Sequence, residues 1–211
     1  MSSIFAIINP HKLLQGNYYI YSFKNTIIGK MNFYKNSLWE KTEYGLSNVQ
    51  ENLELIAYSM LALLVPFAFG HPQMLVGALV NAALILAALN LKNQKLLPII
   101  LLPSVGVLAR GLIFGPFTLF LVYMMPFIWC GNTILVYSFK KLGLENGVGR
   151  FRTLIAGALA KTLFLFTSAF ILHSAGILPK IFLTTMGVLQ LATALIGGII
   201  AFTIQSVKKT A

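Results

Sequence analysis

Two cations stand inside stretches of the chain that are otherwise apolar. Lys161 interrupts the run from Thr153 to Leu172, and Arg110 sits near the end of the run from Leu96 to Phe114. A cation in hydrocarbon costs at least about 2.5 kcal/mol on insertion scales, so each must meet an anion, a carbonyl or water. A guanidinium suits a bidentate grip on a carboxylate or phosphate. An ammonium near mid-depth suits an anionic or carbonyl-bearing ligand, or a structural role as the cap of a broken helix. Asn81 and Gln190 each lie near the middle of an apolar run, where amides commonly bond one helix to another. Asn132 lies nearer an end, where a structural role is expected. His71, Gln73, Tyr123 and His173 fall toward one rim and could line a mouth. The candidate ligand-binding set is therefore Arg110, Lys161, Asn81, Gln190, His71, Gln73, Tyr123 and His173.

What is missing narrows the chemistry. All five acidic residues (Glu40, Glu43, Glu51, Glu54 and Glu145) lie outside the apolar runs or at their margins. A carboxylate proton relay and a general acid–base pair are thus not expected. The single cysteine, Cys130, has no second thiol to pair with, and no histidine spacing suggests a metal. No phosphate-cradling Gly-Lys-Ser/Thr loop occurs, so any uphill movement needs energy from a partner. Neither an enzyme nor a bound cofactor is expected.

The elements that hold these residues follow from composition. Of 211 residues, 57% are hydrophobic and 10% charged, and mean hydropathy is +0.80. Soluble domains carry about a quarter charged residues, too many for this chain to imitate. A helix rises about 1.5 Å per residue, so roughly 20 apolar residues cross a bilayer. The sequence predicts an all-α polytopic membrane bundle of about six transmembrane helices. Their expected bounds are 51–69, 72–91, 96–114, 116–139, 152–177 and 181–207, with turns such as Gly70-His71-Pro72 and Gly115-Pro116 between them. Residues 1–50, rich in Asn, Tyr, Ser and Lys, read as a cytoplasmic or interfacial arm, and 51–211 as the transmembrane domain. Ile4–Ile8 is short and has no basic segment before it, so it does not read as a cleaved signal.

The net charge of +11 is distributed as topology is written. Lys12, Lys24, Lys30, Lys35 and Lys41 lie in the arm. Lys92, Lys95, Lys140, Lys141, Arg150 and Arg152 lie in alternate loops, and Lys208 and Lys209 in the tail. The other set of loops has Lys180, with Arg110 near by. Basic loops stay cytoplasmic, which places both termini there. Anionic lipid is the natural partner of this charge, and nucleic acid is not expected.

Small residues four apart let helices approach closely in lipid. They occur as Ala83/Ala87, Gly111/Gly115 and Gly197/Ala201. Taken with Gly77-Ala-Leu-Val-Asn-Ala-Ala, Leu102-Pro-Ser-Val-Gly-Val-Leu-Ala-Arg-Gly and Pro126-Phe-Ile-Trp-Cys-Gly-Asn, residues 51–207 resemble the substrate-binding (S) component of energy-coupling-factor transporters. The resemblance implies capture of a vitamin-like small molecule or a metal, and docking on a membrane scaffold protein driven by ATPase subunits. That family's docking pair of alanines on the first helix is not kept, since Leu61 stands four residues after Ala57. Ala83 and Ala87 are the expected substitute. Two other classes remain open: a stand-alone secondary transporter or channel, and a structural subunit of a larger membrane complex. Reporter fusions test the topology. Those after Gln94, Asn146 and Val207 should read cytoplasmic and one near Pro179 external, whereas an external signal at Asn146 would refute six spans.

Overall fold

A computed structural model describes residues 37–69, 72–114 and 118–210. His71, Gly115 and all but the end of the N-terminal arm lie outside the described residues. The chain divides into two compact units, Met1–Glu40 and Lys41–Ala211. In the first, Leu38–Glu40 forms one 3₁₀ turn. The second contains the bundle and starts ahead of the expected boundary at Glu51.

Each helix begins or ends where its local chemistry requires. Helix α1, Asn48–Ala68, is opened by a reciprocal cap in which Ser47 Oγ accepts from the Gln50 amide and the Gln50 side chain accepts from the Ser47 amide. This satisfies two of the donors that a helix start leaves open. Helix α2, Gln73–Asn90, follows Pro72, and α3, Leu96–Phe114, contains Pro103. Helix α4, Thr118–Ser138, runs on into a π-helical segment, Phe139–Glu145. Helix α5 spans Arg150–Ser174. The last expected span is not one helix but two, α6 at Ile181–Met186 and α7 at Val188–Thr210. They break at Gly187, whose φ of −97° and ψ of −104° are not helical.

Among the described residues no strand occurs, and the fold is an all-α bundle. Five stretches of the described residues are long and apolar enough to cross a membrane: Asn48–Ala68, Gln73–Asn90, Phe120–Glu145, Arg150–Ser174 and Ile181–Lys208. With α3, at 19 residues, they make the six-rod arrangement expected of a multi-pass membrane protein. Apolar side chains cover its flanks, as with Leu53, Ile56 and Met60 on α1 and Ile155, Leu159 and Leu163 on α5. In water such a surface would drive association; in lipid it is the solvated face.

Helix α2 is the axis. Every residue from Asn81 to Leu91 is buried. Helix α7 reaches it closely because Gly197 has no side chain: a Cβ there would lie 2.6 Å from the Ala78 carbonyl oxygen and 2.8 Å from the Ala82 amide. Ala83 and Ala87, the expected docking pair, are 1% and 0% exposed. They pack within this bundle and present no free face in this conformation.

Among the described residues, ion pairs tie the ends of the rods at one side. Glu43 pairs with Arg150 and accepts from Gln205 Nε2 at 3.1 Å. Glu51 bonds Lys95 at 2.9 Å, and Glu54 bonds Lys208 at 2.6 Å. Lys140, fully buried, donates to the Leu91 carbonyl at 2.8 Å and to that of Lys41. It thus caps the carbonyl end of α2, where a cation also meets the negative pole of the helix. These bonds gather the segments 41–54, 91–95, 140–150 and 205–208 at one basic end, as alternating helices require.

The Gly197 contact gives a stability test. Gly197→Ala must push α7 off α2 and should destabilise the protein by about 1–3 kcal/mol, read as a lower melting temperature in mild detergent. Gly149→Ala, with nothing within 4 Å of the added carbon, should change it little.

Candidate functional site

The feature that organises the interior is a buried lysine of α5 between α2 and α4. Lys161 on α5 is 2% exposed. It lies about 16 Å along the helix from Arg150 at the usual rise. Its Nζ donates to Asn81 Oδ1 on α2 at 2.6 Å and to Asn132 Oδ1 on α4 at 2.9 Å. An ammonium can only donate, so both amides must turn their oxygens toward it. Their nitrogens then face outward to further acceptors. Asn81 Nδ2 donates to the Gly77 carbonyl at 2.9 Å and to Thr193 Oγ1 on α7 at 3.2 Å. Asn132 Nδ2 donates to the Ile100 carbonyl on α3 at 2.9 Å. Thr193 Oγ1 passes its own proton to the Gln190 carbonyl at 3.2 Å. One charge thereby fixes the polar orientation of α2, α3, α4, α5 and α7.

This node has two acceptors for an ammonium with three donors, and both are neutral. Each described carboxylate in the bundle is engaged at the basic end, Glu145 with Lys141 and Lys41 and the others as above. No carboxylate reaches Lys161 within hydrogen-bonding distance among the described residues. Among the described residues its hydrogen-bond acceptors are the two amide oxygens alone.

The other expected residues are spread through the structure. Arg110 lies at the far end of α3, where Nη1 donates to the carbonyls of Phe67 at 3.2 Å and Ala68 at 2.9 Å. It closes the carbonyl end of α1, as Lys140 closes that of α2. Gln190 enters the node through its backbone oxygen. His173 Nδ1 donates to the Leu178 carbonyl at 2.7 Å and fastens the turn between α5 and α6. Gln73 is exposed at the start of α2, and Tyr123 is 56% exposed on α4. Asn81 and Lys161 are therefore brought together, while Arg110 and the rim residues serve separate places. Among the described residues no group of three His, Cys, Asp or Glu side chains could hold a metal.

Two polar residues of the node were not in the expected set. Asn132, whose depth points to a structural role, accepts directly from Lys161. Thr193 carried no signal beyond lying three residues after Gln190. A second polar knot at the basic end was also missed: Asn90 and Gln205 exchange amide bonds at 2.8 and 3.2 Å, and Asn90 donates to Tyr58 Oη at 3.1 Å.

No protein-family model matches the chain, and no curated protein or solved structure matches it either. The site must therefore be read from its own chemistry.

Substitutions separate the two cations. Asn132→Leu leaves a buried ammonium short of an acceptor and should destabilise by about 3 kcal/mol or more. Arg110→Gln releases carbonyls at a partly exposed helix end and should cost about 1 kcal/mol. Thermal melts of both variants beside wild type check the order, and the reverse order would displace Lys161 from its central place.

Proposed function

We propose that this chain is a multi-pass protein of the cell membrane that captures a small anionic or carbonyl-bearing solute at Lys161. The observation that carries the reading is the uncompensated ammonium of Lys161, which has two neutral acceptors and a third donor to offer. A carboxylate, phosphate or carbonyl oxygen would take that donor, and an anion would also neutralise the charge. Asn81 and Asn132 hold the side chain in place, and Thr193 holds Asn81. Because Lys161 is 2% exposed, a solute reaches it only when α5 separates from α2 or α4. With no nucleotide-binding loop of its own, the chain acts as the substrate-capture subunit of an uptake system of the energy-coupling-factor type. A membrane scaffold and its ATPase subunits supply the energy. The basic end faces the cytoplasm, together with both termini, on the strength of the positive-inside bias.

A second reading is favoured by the use of Arg110 and Lys140 as helix caps: a structural subunit, with Lys161 serving only to lock the rods. Native mass spectrometry of the detergent-purified protein distinguishes the two. Under the capture reading, wild type retains a small anionic or carbonyl compound, and Lys161→Met loses it while remaining monodisperse. Wild type that flies free of any small molecule, including after incubation with a library of carboxylates and phosphates, would remove the capture reading.

A further inference from the structure

Glu43 reaches three helices at once. Its carboxylate pairs with Arg150 at the start of α5 and accepts from Gln205 Nε2 near the end of α7 at 3.1 Å. Its amide donates to the Leu89 carbonyl, in the last turn of α2, at 2.7 Å. Gln205 is itself buried and exchanges amide bonds with Asn90 of α2. Helices α2, α5 and α7 are therefore fastened at their basic ends by one residue that belongs to none of them. The same three helices carry Asn81, Lys161 and Thr193, which bond in series at the node.

Distance along the rods links the two places. Arg150 and Lys161 are about 16 Å apart on α5, and Gln205 and Thr193 about 18 Å apart on α7, at the helical rise. Helices carry a displacement over such lengths because they move as stiff elements. One turn on from Arg150, Leu154 fills the notch that Gly198 leaves on α7. Parting α5 from α2 at the basic end must break Arg150 from Glu43, because Glu43 also holds Leu89. The other ion pairs do not have this reach. Glu51 joins α1 to Lys95, Glu54 joins α1 to α7, and Glu145 bonds Lys141 and Lys41. Among the described residues Glu43 is the only carboxylate paired with α5.

We propose that Glu43 is a latch on the Lys161 site, an autoinhibitory contact whose release from Arg150 and Gln205 lets α5 part from α2 and uncovers the lysine. Glu43 is a positioning residue. It touches no solute and acts through the helices that hold the node. The proposal rests on the capture reading for the purpose of the opening. Its readout is the reactivity of Lys161 itself, so a chain that captures nothing still shows the latch.

The test uses the full chain in phosphatidylcholine nanodiscs and the acetyl ester of N-hydroxysuccinimide, a neutral reagent for amines. Peptide mass spectrometry reads the initial rates of acetylation at Lys161 and at Lys180, which is exposed at the opposite end and serves as the standard. A buried amine reacts only from the opened population. In wild type Lys161 should therefore react far more slowly than Lys180. Glu43→Ala should raise the ratio of Lys161 to Lys180 labelling about tenfold, the effect of losing one charge-assisted hydrogen bond. Arg150→Gln, which releases α5 alone, should raise it too, and carries the test if Glu43→Ala does not stay monodisperse. Glu51→Ala breaks an ion pair at the same end from a more buried carboxylate, with no bond to α5 or α7. It should lower the melting temperature and leave the ratio unchanged. Unchanged ratios in Glu43→Ala and Arg150→Gln would overturn the proposal. So would an equal rise in Glu51→Ala, which would assign the effect to general loosening, and so would wild-type Lys161 reacting as fast as Lys180.

Discussion

A bilayer offers no water, so each polar group in the interior of this protein has to find its partner within the chain. The ammonium of Lys161 shows what that demands. Its two amide acceptors must both point inward, their nitrogens must then find acceptors of their own, and the requirement passes outward until it ends on backbone carbonyls and a threonine. Five helices are oriented by one proton donor. Bonds of this kind fix the rotation of the rods, because Leu against Leu is scarcely better than Leu against lipid.

The same shortage explains where the remaining cations go. Helix ends expose carbonyls that have no intrahelical donor. Arg110 supplies donors to the end of α1, and Lys140 to the end of α2. Both positions also place positive charge against the negative pole of a helix. The carboxylates, by contrast, are held at the basic end, where Glu43, Glu51 and Glu54 pair with Arg150, Lys95 and Lys208. Charge in this molecule is divided by depth: ion pairs at the basic end, amide-held cation in the middle, carbonyl caps at the termini of rods.

Long apolar runs and alternating basic loops made the helices legible, because span length and loop charge are local properties of a sequence. Asn81 and Lys161 were legible as polar residues at similar depth. That they touch was not, since the rotation of each helix about its axis is fixed by distant neighbours. Asn132 shows the limit: depth counted along its own helix placed it off the node, and the side chain reaches it nonetheless. The break at Gly187 was hidden for a different reason. A single glycine in an apolar run is common in membrane helices, and here the missing side chain leaves room for Phe166 and the Leu183 carbonyl, at 3.1 and 2.8 Å from where a Cβ would stand. Arg110 had an acceptor pair waiting on α1 that no spacing in its own helix announces.

The bonds of Glu43 bear on how such a chain is made. Glu43 is translated before α1, yet it accepts from Gln205, 162 positions later, and its own amide donates to the Leu89 carbonyl at 2.7 Å. Its final place does not exist while the earlier helices are entering the membrane. The bond between Glu43 and Gln205 can form only once α7 lies against α2. That clasp joins the segment ahead of α1 to the end of α7 in a single fastening, so neither end of the bundle is held without the other.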